Sequence, residues 1–192
     1  MEICYKNVIL RDMKQSDIED YVRWFTTETE WMDWDAPWET DPFDEETERK
    51  RRTREYEASK AMPDDELRWH FEIEYDGKHI GWINAYQIDV NYDWVSDDCV
   101  KEGQKVYQTI GITLPDPGIR SKGLGTMALA GVMQYYADHG CKEICTQTWS
   151  GNHRMVRVAE KLGFTVCDRE KGKREVRGET YDGLTFYRSL ER

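Results

Sequence analysis

The sequence predicts an α/β (α+β) fold, a single domain over residues 1–192 built on a mixed sheet. Three observations carry this expectation. Segments with period-two alternation, such as 67–75, interleave with segments of helical spacing, such as 16–25, along the whole chain. The 192 residues and 39% hydrophobic content suit one core with room for a small-molecule cleft. No internal repeat, low-complexity tract or linker divides the chain.

The elements follow in order. NVILRDM alternates as a first strand. SDIEDYVRWF then reads as a helix, with Ser16 as N-cap and Ile18, Tyr21, Val22 and Phe25 at helical spacing. From Glu28 to Glu48 the chain carries ten acidic residues and no Lys or Arg, with Trp31, Trp34 and Trp38 among them. Asp44 is placed to cap a second helix through EETERKRRTREYEASKAM, whose charges alternate on a mostly solvated face until Pro63 ends it. LRWHFEIEY sets Leu67, Trp69, Phe71, Ile73 and Tyr75 on one face and Arg68, His70, Glu72 and Glu74 on the other, the pattern of a half-buried strand. A DGK turn joins it to HIGWINAYQIDV, giving a hairpin over 67–90. KVYQTIGITL reads as a central strand stopped by Pro115. After a glycine-containing loop come a helix over 123–139, a strand over 143–148, a helix over 152–162, a strand over 164–168 and a last strand near 184–189.

Charge and cysteine usage narrow the function classes. Twenty-seven basic against 38 acidic residues give 27 − 38 = −11, a field that repels phosphate backbones and attracts cations. No nucleic-acid partner is expected, and a cationic amine suits the field, although net charge also serves solubility alone. Cys4, Cys99, Cys141, Cys145 and Cys167 form no CxxC pair, which argues against a zinc knuckle and a disulfide framework. No metal is expected, and a reducing cytoplasm fits. MEICYKNVILRDM lacks the apolar core of a secretory signal, and no stretch approaches the roughly 18 apolar residues of a membrane span. A soluble cytoplasmic monomer or homodimer without a membrane partner is the expectation.

RSKGLGTMAL, residues 120–129, sets Gly123 and Gly125 between a basic pair and an apolar helix start. A strand ending at Leu114, a turn and a helix directly after it gather free backbone N–H groups and the positive end of a helix dipole, which makes an anion site. Arg120 and Lys122 add positive charge, matching a diphosphate better than a carboxylate. A Walker loop is excluded because no GK[ST] ends the run, and a Rossmann fingerprint needs an earlier glycine and a later acidic residue.

Arg120, Gly123 and Gly125 fit the (Q/R)xxGx(G/A) acyl-CoA loop of the GCN5-related N-acetyltransferases (GNAT). About thirty residues later NHRMVRVAEKLGF, from Asn152 through Gly163 and Phe164, resembles that family's second motif. Together with YQTIGITL these stretches look most like the Rim-type branch, whose founding members acetylate N-terminal amines of ribosomal proteins. The resemblance covers nearly the whole chain in element order, with its specific residues between Ile110 and Phe164. It implies a mostly antiparallel sheet of about seven strands flanked by about four helices, with a splay after the strand 106–114. It also implies acetyl-CoA as acetyl donor. Main chain at Ile110, Ile112 and Leu114 would bond the pantetheine arm while their side chains pack, and the amides of Lys122, Gly123, Leu124, Gly125 and Thr126 would take the pyrophosphate. Asn152 reads either as a simple N-cap or as a cofactor-facing residue.

Transfer to an amine requires a neutral nucleophile, a polarised acyl carbonyl and a proton for the departing thiolate. An aliphatic amine near pKa ~10 must first lose a proton. The family's proton-donating Tyr, seven residues after the motif Asn, is replaced here by Ala159, and the Rim-type Ser, three after it, by Met155. Ser150 is left as a donor acting directly or through water, or as a turn residue. REVRGETYDGLTFY resembles the last Rim-type hairpin, which carries the base onto Glu175; a solvated hairpin Glu between arginines is the other reading, with Glu72, His70 and Asp35 as rival bases. WMDWDAPWE offers Trp31, Asp33, Trp34, Asp35 and Trp38 to a cationic acceptor, while ordinary packing explains any single Trp equally well. The implied activity is direct acetyl transfer in a ternary complex to a primary amine, either a protein or peptide N-terminus or a small cationic amine. The alternative is a catalytically weak or inactive acyl-CoA-binding module.

Overall fold

The computed structural model describes residues 1–39, 43–96 and 99–191. Among them the order is β1 (Glu2–Tyr5), β2 (Val8–Arg11), α1 (Asp17–Thr26), a short 3-10 turn (Thr29–Asp33), α2 (Glu45–Ala61), β3 (His70–Tyr75), β4 (Lys78–Ile88), β5 (Trp94–Val95) and β6 (Tyr107–Thr113), followed by a second 3-10 turn (Pro117–Ile119). Then come α3 (Leu124–Asp138), β7 (Glu143–Trp149), α4 (His153–Lys161), β8 (Thr165–Val176) and β9 (Glu179–Ser189). The strands form one sheet in the order β1-β2-β3-β4-β6-β7-β9-β8, with β5 on β4. This is a mixed α+β fold in which β1–β2, β2–β3, β4–β5, β7–β9 and β8–β9 pair antiparallel and β6–β7 pair parallel. Nine strands stand where about seven were expected, the additions being β1 and β5. No helix among the described residues is long and apolar enough to cross a membrane.

The chain divides into two compact units, Met1–Ile83 with Ile112–Gly131, and Asn84–Gly111 with Val132–Arg192. In the first, an aromatic core gathers Met13, Ile18, Tyr21, Trp24, Trp31 and Trp82, with Phe25, Met32 and Tyr56 packed against it. On the polar face of β3, where His70 and Glu74 are half-buried, Glu72 is fully enclosed because Tyr21 of α1 lies over it and donates its hydroxyl to both Glu72 oxygens at 2.9 and 3.1 Å. Alternation along one strand does not reveal that a helix will cover its second face. Asp44 caps α2 as expected, accepting from the Thr47 N–H at 2.9 Å, whereas Ser16 precedes α1 without a side-chain cap. The charged face of α2 is mostly solvated, as expected, with one buried pair. Glu48 and Arg52 are buried as an ion pair 2.6 Å apart, with the Arg52 guanidinium 3.9 Å from the Tyr21 ring centroid. Asp76 and Gly77, both at positive φ, make the tight turn between β3 and β4. Gly81, at φ +148°, lets β4 approach 113–114 closely, since a Cβ there would stand 2.1 Å from the Thr113 carbonyl oxygen.

In the second unit, the parallel ladder between β6 and β7 pairs Gln108 with Ile144 and Thr109 with Cys145. The next carbonyl, of Ile110, is taken by the Thr146 hydroxyl at 2.7 Å. β6 continues through Thr113, beyond the residues paired with β7. β8 and β9 form a long ribbon with register shifts between Val166 and Asp168 and between Glu170 and Arg174, and turn at Arg177–Gly178, both at positive φ.

Candidate functional site

The loop before α3 is built around main chain. The first intrahelical bond of α3 runs from Met127 N–H to the Gly123 carbonyl at 3.0 Å, so the amides of Leu124, Gly125 and Thr126 precede the helical ladder and form its positive end. Ser121 and Gly123 hold φ of 63° and 82°, which curls the chain into the helix start. A Cβ at Gly125 would meet only Leu114 Cδ1 at 3.5 Å and Ile112 Cδ1 at 3.6 Å, ordinary contacts. The fold therefore does not itself require glycine at 125, and a Cβ at Gly123 would meet nothing within 4 Å. Lys122 is exposed. Arg120 is turned inward: Nε donates to the Leu114 carbonyl at 2.8 Å, Nη2 to the Pro115 carbonyl at 2.6 Å, and Nη1 stands 2.5 Å from Glu30 Oε2. The Nη1 pairing is ionic contact rather than a well-directed hydrogen bond. Ile112 and Leu114 are half-buried and Ile110 fully buried.

The acidic, Trp-rich segment belongs to the same unit. Trp31 is an internal residue: its indole N–H donates to the Trp24 carbonyl at 2.8 Å, and its ring stands edge-on to Phe25 and Trp82. Trp34 and Trp38 are half-buried, and Asp33 and Asp35 exposed. Trp34 donates its indole N–H to Glu30 Oε1 at 2.9 Å. Asp35 is open to water yet crowded by surrounding protein, and this desolvation, with Glu39 adding like charge, raises its carboxyl to about 6.

Beneath α1 lies a saturated polar cluster. Glu72 accepts from Tyr21, stands 3.0 Å from His70 Nε2 and 2.8 Å from His79 Nε2; His79 Nδ1 stands 3.1 Å from Asp20. Burial pushes the Glu72 carboxyl up, but His70 and His79 outweigh it and hold it at about 2. Burial likewise lowers His79, while Asp20, Glu72 and Asp17 raise it to about 9. Asp17, Asp20 and His79 place ligand atoms within 4.8 Å of one another, the spacing of a metal site. Those atoms are already engaged: Arg11 grips both Asp17 oxygens at 2.7 and 3.0 Å, and the Lys14 N–H adds a third bond. The geometry is that of an ion network.

In the second unit Ser150 closes the β7–β9 ladder, its N–H donating to the Asp182 carbonyl and its hydroxyl oxygen accepting the Asp182 N–H at 3.0 Å. An accepting hydroxyl keeps its own proton available for donation. Asn152 caps α4 through the Met155 N–H at 3.1 Å. Gly151 is fixed by packing, since a Cβ there would fall 1.8 Å from the Trp149 ring. Glu175 is exposed on β8, opposite Thr180. Sequence reasoning missed Glu30, whose i,i+4 spacing to Trp34 was visible but whose Arg120 partner was not, and His79, read only as part of a strand.

The sequence model of the acetyltransferase (GNAT) domain matches residues 7–165. A comparison with curated proteins finds no match. Among solved structures, a GNAT-family acetyltransferase from Bacillus anthracis is similar at TM-score 0.70 and 17% identity, covering 98% of each chain. An acetyltransferase from Salmonella typhimurium, described as modifying the N-terminal serine of ribosomal protein L7/L12, gives 0.71 and 15% over 100% of both. A RimL L7/L12 acetyltransferase in complex with coenzyme A gives 0.72 and 15%, covering 99% of this chain and 98% of that one. At these identities the likeness is one of fold.

Proposed function

As the chain belongs to the GNAT acetyltransferase family, we propose that it transfers the acetyl group of acetyl-CoA directly to a primary amine in a ternary complex. The observation that carries this is the first turn of α3: three amides ahead of the helical ladder, preceded by Gly123, where a Cβ would meet nothing within 4 Å. In this reading the amides of 124–126 and the exposed Lys122 hold the diphosphate, and Arg120 braces the loop rather than touching phosphate. Acetyl-CoA supplies a thioester-activated acetyl group. Main chain from 111 to 113 lies past the parallel ladder and offers hydrogen-bonding groups to the pantetheine arm.

The acceptor is a cationic amine, a protein or peptide N-terminus or a small amine. Trp34, Trp38, Asp33 and Asp35 recognise it, and Trp31 supports them from inside. Neighbours described as acting on ribosomal L7/L12 favour the N-terminal amine by analogy of fold. Ser150 protonates the leaving thiolate with the hydrogen its accepting oxygen leaves available, and Glu175 or Asp35 receives the ammonium proton. No metal is assigned a part, and the enzyme is placed in the cytoplasm as one domain, monomeric or dimeric.

Calorimetry with acetyl-CoA, then thiol release over an amine panel including short peptides, tests the reading. Binding and turnover are expected, with Ser150→Ala and Glu175→Gln each lowering kcat. Absence of acetyl-CoA binding at millimolar concentration sinks it. A second reading, an acyl-CoA-binding module without turnover, is favoured by α4, where the usual acid position is the buried methyl of Ala159. Tight binding with no thiol release on any amine would select it.

A further inference from the structure

Glu30 joins two parts of the first unit that are distant in sequence. One carboxylate oxygen stands 2.5 Å from Arg120 Nη1 and the other accepts the Trp34 indole N–H at 2.9 Å. Arg120 is 12% exposed and Glu30 45%, so the guanidinium end of this ion pair is sheltered while the carboxylate stays open to water. The remaining guanidinium nitrogens fasten the carbonyls of Leu114 and Pro115, the chain that leads into the loop. A single carboxylate thus connects the brace of the loop to the turn that bears Trp34 and Asp35.

We propose that Glu30 is a positioning residue that couples occupancy of the loop at 120–126 to order in the acceptor segment at 29–36. This rests on the reading of that loop as the diphosphate site. Diphosphate at the α3 amides steadies the loop and Arg120, Arg120 holds Glu30, and Glu30 holds Trp34. By linkage, an amine bound at the acceptor segment then tightens the cofactor by the same factor.

Hydrogen–deuterium exchange of the full chain, with and without saturating coenzyme A, tests this. In the wild type, coenzyme A should slow exchange at 120–127 and, by roughly five- to tenfold, at 29–36 as well. Glu30→Gln should keep the loop's protection and lose the response at 29–36, and Glu30→Asp, which retains the charge, should recover part of it. Trp34→Phe, which removes the indole N–H, should lose the response too and serves if Glu30→Gln folds poorly. A protected loop with 29–36 unchanged or faster in the wild type overturns the proposal, as does equal slowing in Glu30→Gln. No loop protection and no calorimetric heat in the wild type removes the cofactor reading itself, and the coupling falls with it.

Discussion

Glu72 and Asp35 carry the same carboxyl group in the same unit and sit at opposite ends of the acidity scale. Glu72 is fully buried yet held at about 2, whereas Asp35 is exposed yet raised to about 6. The difference lies in their partners. Tyr21, His70 and His79 surround Glu72 with donors, while Asp35 has crowding protein and the like charge of Glu39. A saturated buried carboxylate is architecture; a crowded one open to water is available to a ligand.

The largest effect should come from breaking the saturated side. Glu72→Leu strips His79 and Tyr21 of their acceptor and should cost about 3–5 kcal/mol in urea unfolding at pH 7. A loss under about 1 kcal/mol would show that the network contributes little. The next is pH dependence. His79 is raised above its unfolded value, so its contribution is complete below about 6.5 and lost as pH rises through about 9, on the order of 3 kcal/mol. Glu72 is depressed, so its contribution is present above about 4.5 and fades as pH falls toward about 2. Stability measured from pH 6 to 9.5 should fall, and His79→Gln should flatten that limb.

A smaller effect carries the contrast from side chains to main chain. Gly125→Ala makes only ordinary contacts, so Tm should hold within about 2 °C while the acetyl-CoA Kd rises about tenfold, or ~1.4 kcal/mol. The smallest concerns Asp35. Asp35→Asn should raise KM for a cationic amine about three- to fivefold, leave the acetyl-CoA Kd unchanged and alter stability by under ~0.5 kcal/mol. An unchanged KM would return the segment to packing.

Much of this was legible in the sequence where local chemistry decides. Asp44 as cap, the turn at Asp76–Gly77 and the glycine loop before α3 each depend on neighbours a few residues away. The β1–β2 hairpin was not legible because its turn uses Lys6, at φ 56°, with no glycine to mark it. The burial of Glu72 and Glu48 was not legible because one-element patterns do not show what packs from another element. Arg120 was expected to face phosphate; that its guanidinium faces inward depends on Glu30, brought near only by folding.

Gly81 has a consequence for genetics. One added methyl group would meet the Thr113 carbonyl oxygen at 2.1 Å, in a backbone conformation that already disfavours an L side chain. Gly81→Ala is thus the natural choice for a heat-sensitive allele. Its fault would lie in how well β4 settles against 113–114, so the amount of folded protein in a cell could be set by a thermostat.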